Sequence, residues 1–137
     1  VKATTLIKNL NLDGIPLIII FILLMAFINL FVVSASSKWA LVAPIVVPMF
    51  ALMGLSPAFA QMLYRVGNSA TNIITPLSSG LAIVLGVMTR YKKDAAFGTL
   101  VSMTFPFSLA ILVTWTIICI VFAVFNLPLG PGASIYL

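Results

Sequence analysis

Residues 64 to 76 read YRVGNSATNIITP, a stretch that could do chemistry within a chain that is otherwise oily. Arg65 offers a planar guanidinium, a bidentate site for an anionic group. Asn68 and Asn72 are four apart, with Ser69, Thr71 and Thr75 interleaved. Their neutral oxygens, with any freed backbone carbonyls, suit a hard cation such as sodium. The same side chains also serve to cap helix ends, and one residue can do both jobs. A second polar cluster, Ser34, Ser36 and Ser37, reads either as an ion or substrate contact or as a tight turn. Trp39 beside it is an interfacial anchor if it faces headgroups, and a ligand contact if the cluster is a buried tip. Enzyme chemistry has little to work with. The chain has no histidine, only two acids, Asp13 and Asp94, and no glycine-rich phosphate loop. The lone Cys119 can neither close an internal disulfide nor make a metal site, and reads as packing. No cofactor is expected.

The elements that must position these residues are set by the solvent. With 63% apolar residues against seven cations and two carboxylates, the chain has too little polar surface to face water on all sides. Its partner is the lipid bilayer. Ile15 to Val33 holds one interior polar residue, Asn29, and Phe97 to Phe125 is long enough to cross a hydrocarbon core of about 30 Å. The first run lacks the basic leader and small-residue cleavage site of a signal peptide. The net charge of +5 is scattered among apolar spans, not gathered on a basic face, which argues against nucleic acid. Only Arg90, Lys92 and Lys93 cluster, and that positive group puts the loop 90–94 in the cytoplasm and the C-terminus on the periplasmic or extracellular side. The start at Val1, without an initiator methionine, suggests a piece of a larger protein.

The predicted organisation is all-α and integral to the membrane. A helical hairpin covers about residues 15–53, its tip at 34–38; Pro44 and Pro48 in the second arm and the serine-rich tip favour an element that dips in and returns. A broken helix follows over about 58–89, unwound at 67–76, because Gly67 and Pro76 interrupt a helical ladder. A last transmembrane helix spans about 95–126. Breaks of this kind sit near the midplane, where secondary transporters bind ions and substrate. Arg65, centrally placed in such a helix, is expensive and should have a reason to be there.

Four segments, LDGIPLIIIFILLMAFINLF, SSKWALVAPIVVPMFALMGLSP, YRVGNSATNIITPL and FNLPLGPGA, together resemble the C-terminal part of the AbgT family of p-aminobenzoyl-glutamate transporters. The resemblance covers nearly the whole chain, and residues 1–137 read as the C-terminal part of one transporter domain. It implies a homodimeric, multi-pass protein of the bacterial inner membrane, built from inverted repeats like others of the ion-transporter superfamily. Such proteins import p-aminobenzoyl-glutamate or export antimetabolites by sodium- or proton-coupled alternating access. Carried over by position, Ser36, Trp39, Pro57, Arg65 and Pro76 fall on the path of a small anionic aromatic substrate. The ion-binding candidates are Ser34, Asn68, Ser69, Asn72 and Thr75. Two departures stand out. Asn68 occupies a position where similar sequences usually show aspartate, so a neutralising partner three residues after Arg65 is missing. LSSGLAI after Pro76 replaces a bulkier, often aromatic run. A short-chain fatty acid or dicarboxylate carrier of the same superfamily is the alternative reading, and a truncated, non-transporting membrane subunit is another.

Overall fold

A computed structural model of the chain describes residues 14–32, 34–76 and 78–136. The polar approach of residues 1–13, which includes Asp13, lies outside the described residues, as does Val33. Among the described residues five helices follow in order: α1 (Ile15–Asn29), α2 (Ala35–Leu52), α3 (Pro57–Thr71), α4 (Ser79–Tyr91) and α5 (Phe97–Phe125). Among the described residues, α2 and α5 are long and apolar enough to cross a membrane.

Local chemistry sets the boundaries. Pro16 sits in the first turn of α1, where a missing N–H costs nothing. Ser34 caps α2, its Oγ accepting from the Ser37 N–H. Ser56 caps α3 in the same way, with Pro57 at the first helical position. Gly54 takes φ 76° in the turn between them, a backbone shape that favours glycine. Asn126 closes α5 in the left-handed region, where the Leu127 N–H returns to the Phe122 carbonyl. Inside α5, Pro106 cannot donate to the helical ladder. Ser102 and Thr104 hydroxyls turn back onto the carbonyls of Gly98, Leu100 and Val101 around it.

Two expected boundaries move. The first arm of the hairpin ends at Asn29, four residues before the expected Val33, and Ser34 already caps the second arm, so the bend lies at 30–34 and Lys38 is in the first turn of α2. The helix that was expected to unwind at Gly67 continues to Thr71, and the next helix starts at Ser79. Gly67 is not a break because it is a contact. A Cβ there would stand 2.6 Å from the Ile22 carbonyl oxygen and 2.9 Å from Met25 Cβ. Its missing side chain lets α1 and α3 approach backbone to side chain.

The core is built where α1, α3, the C-terminal half of α5 and the end of α2 meet. Phe21 and Phe50 pack edge to face with ring centroids 5.0 Å apart. Ile22, Phe59, Leu63, Cys119 and Ile135 are fully enclosed beside them. The C-terminal tail closes this end: the Ser56 N–H donates to the Ile135 carbonyl at 2.8 Å, and Ser56 Oγ to the Ser134 carbonyl at 2.6 Å. α1 and α3 therefore start together at the tail end and run parallel to a common finish at Asn29 and Thr71. That finish is far from either end of α5. Ser108 Oγ donates to the Ala70 carbonyl at 2.6 Å, and Ser108 stands about 16 Å along the axis from the start of α5 at about 1.5 Å per residue. α4 and α5 carry exposed Ile83, Val87, Phe107, Val113 and Val124, the first three lining an apolar groove between the two helices. These are apolar surfaces suited to lipid or to further membrane helices.

Candidate functional site

Asn29 is the polar centre of the structure. It is fully buried at the last position of α1, and its side chain joins three elements. Nδ2 shares its two hydrogens among the Asn68 carbonyl at 2.8 Å, Thr71 Oγ1 at 3.0 Å and Asn72 Oδ1 at 3.0 Å. Oδ1 accepts from Lys38 Nζ at 2.5 Å. Thr75 Oγ1, also fully buried, donates to the Thr71 carbonyl at 2.7 Å and lies 3.4 Å from the Asn29 carbonyl. The hydroxyls and amides thus take up carbonyls left open where α1 and α3 end, as a buried helix terminus requires.

Lys38 is the buried cation. It is 2% exposed, and its Nζ donates to Asn29 Oδ1 and Asn68 Oδ1 and lies 5.9 Å from the centroid of the Tyr64 ring. Asp94, in the α4–α5 connection, is the one acid among the described residues, so amide oxygens hold this charge. Arg65, the residue whose cost pointed to a buried role, is instead exposed. That correction has a simple geometry: α3 turns Val66, Gly67 and Asn68 toward its neighbours and Arg65 toward an open groove.

The groove is a cavity of about 470 Å³ between the start of α2 and the last three turns of α3. Ser36 and Trp39 line it from α2, and Gln61, Arg65, Asn68 and Ser69 from α3. Trp39 and Tyr64 form its aromatic wall, with ring centroids 4.9 Å apart, and Tyr64 Oη donates to the Ala35 carbonyl at 2.6 Å, tying the two helices together. Arg65 and Ser69 also border a second groove, which faces Trp115 of α5.

The structure therefore brings Ser36, Trp39, Arg65, Asn68 and Ser69 to one cavity, and Asn68, Asn72 and Thr75 to the Asn29 cluster. It leaves three predicted residues apart. Ser34 is occupied as the α2 cap. Pro57 opens α3 beside the C-terminal tail, about 12 Å along the helix from Arg65. Pro76 lies exposed in the interruption and does not line the cavity. Sequence reasoning noted Asn29 as the single polar residue of its span without giving it a role, and read Lys38 as part of the tip. The signal for Lys38 was Ser34: a helix capped there puts Lys38 one turn in, beside Trp39.

An all-helical chain with membrane-length helices and its polar residues gathered at helix ends has the construction of a membrane transporter. Residues 1–137 match the AbgT putative transporter family, and the chain belongs to that family. It is 39% identical over 132 residues to the p-aminobenzoyl-glutamate transport protein of Escherichia coli, covering 96% of this chain and 26% of that protein. Two solved structures share the fold. The YdaH transporter of Alcanivorax borkumensis, described as having an unusual topology, is 42% identical with a TM-score of 0.89, covering 95% of this chain and 28% of that one. MtrF of Neisseria gonorrhoeae, described among antimetabolite efflux pumps, is 46% identical with a TM-score of 0.84, covering 97% of this chain and 26% of that one. The chain thus spans about a quarter of the length of these relatives. These relatives are transporters, so the family to which the chain belongs is one of bacterial membrane transporters and not of enzymes.

Proposed function

We propose that this chain supplies the substrate-contacting wall of an ion-coupled secondary transporter for an anionic aromatic compound, p-aminobenzoyl-glutamate or a related antimetabolite. The observation that carries the reading is the cavity in which an indole, a phenol ring and an exposed guanidinium face one space. An aromatic ring stacks on Trp39 and Tyr64. A carboxylate takes both arms of Arg65, while Ser36, Gln61 and Ser69 supply neutral hydrogen bonds that fix its orientation. The E. coli relative's name and the antimetabolite class of MtrF support the same substrate chemistry.

The α1–α2 hairpin serves as a re-entrant element. α1 has 15 residues, about 22 Å, which is short of a hydrocarbon core of about 30 Å. Its bend lies level with the end of α3, partway down α5, and there the polar cluster surrounds it with partners. Movement of this tip against the interrupted helix is the natural route to alternating access. The protein works in the inner membrane as a homodimer, with its 90–94 loop in the cytoplasm.

The test is uptake or release of radiolabelled p-aminobenzoyl-glutamate in proteoliposomes of the full-length protein, with Trp39→Ala beside the parent. The variant should fold and assemble normally and lose transport. Trp39→Ala protein that transports at the parental rate would remove the cavity from the substrate path.

A further inference from the structure

We propose that the Lys38 ammonium is a tethered cation, standing in the oxygen site where a mobile sodium ion would otherwise bind, so that this site does not load sodium. The acceptors are of the neutral oxygen type that an alkali cation also takes. Two neutral amide oxygens, Asn29 Oδ1 and Asn68 Oδ1, accept from Nζ, and the Tyr64 ring face lies 5.9 Å away. With an amide at 68 instead of a carboxylate, no ion pair is available, and the site with its ammonium carries the same single positive charge that it would carry with sodium.

The backbone makes the site attractive to a cation. Asn29 is the last residue of α1 and Asn68 lies in the last turn of α3, so two parallel helices end here. Each brings about half a negative unit charge to its C-terminus. Lys38 itself comes from the first turn of α2, a helix end that repels positive charge, and it is 2% exposed. A lysine at that place is held by its contacts across the hairpin and not by its own helix. Two unit cations cannot share so small a set of neutral oxygens, so the tethered one excludes the free one.

The inference rests on the transporter reading only in naming the ion it displaces, and its test reads binding of the ion and not transport. Purified full-length protein is heated in sodium chloride or in choline chloride at equal ionic strength, and the surviving folded fraction is measured. Lys38→Ala vacates the oxygens and should gain a sodium-specific upward shift of several degrees in its half-survival temperature beyond any that the parent shows. An equal sodium response in parent and variant overturns the proposal. Should Lys38→Ala give no folded protein in choline, its yield in sodium decides. Folded protein recovered in sodium and not in choline supports a vacated cation site, and failure in both salts overturns it. Loss of p-aminobenzoyl-glutamate transport by the parent would remove the substrate assignment and leave this result standing.

Discussion

Replacing Gly67 by alanine adds one methyl group at the closest approach of α1 and α3. The new Cβ would stand 2.6 Å from the Ile22 carbonyl oxygen, 2.9 Å from Met25 Cβ and 3.1 Å from the Ala26 nitrogen. Two of these atoms are backbone, so no rotamer change clears them and the helices must separate. Alanine in a helix interior gains about 0.5–1 kcal/mol over glycine. Overpacking costs about 1–3 kcal/mol, and a clash with backbone belongs at the upper end of that range. The net expectation is a loss of about 2 kcal/mol, about 30-fold in the folded-to-unfolded ratio. Gly86→Ala is the control, because a Cβ at Gly86 in α4 meets nothing within 4 Å and should stabilise slightly. Detergent-solubilised full-length protein is heated, and the monodisperse fraction is read by size-exclusion chromatography. A Gly67→Ala protein that survives heat as well as the parent would refute the argument that this glycine is a helix contact.

Arg65→Lys keeps the charge and loses the bidentate fork, so p-aminobenzoyl-glutamate transport should weaken by about tenfold or more while folded yield stays normal; a kinetic comparison in proteoliposomes checks this. Asn29→Leu leaves the Lys38 ammonium short of an acceptor within the packed hairpin, at a cost of about 3–5 kcal/mol by analogy with a broken buried pair. Folded yield, read as the monodisperse fraction, should collapse, and Asn29→Asp should restore it only in part, because its carboxylate meets Lys38 while its second oxygen faces the Asn68 carbonyl and Asn72 Oδ1 to which Nδ2 now donates. Cysteine at Ser134 should react with an impermeant thiol reagent from outside intact cells and cysteine at Lys92 should not, since α5 separates the two positions. The opposite pattern reverses the orientation.

The apolar helices and the existence of an interruption were legible because hydropathy and prolines are local signals. The Trp39–Arg65 side of the cavity was legible for the same reason: each residue was conspicuous in an apolar chain. Gly67 was misread because a glycine that breaks a helix and one that admits a neighbouring helix look alike in sequence. Only the position of Ile22, 45 residues earlier, tells them apart. Asn68 was read against Arg65, its neighbour in the chain, yet its side chain belongs with Lys38 and its carbonyl with Asn29. Those pairings join three helices, and no periodicity encodes them.

The distances along the chain between these partners also set an order of assembly. Lys38 and Asn68 are 30 residues apart, and Asn29 and Thr71 are 42 apart. At about 5–20 residues per second, the ribosome delivers Asn68 several seconds after Lys38. During that interval the hairpin has its charge but only one of the two amides that hold it. The contacts that hold Lys38 therefore cannot all form within the α1–α2 segment alone. They wait for α3, and the last step in building this region is the meeting of segments made at different times, not the folding of a local turn.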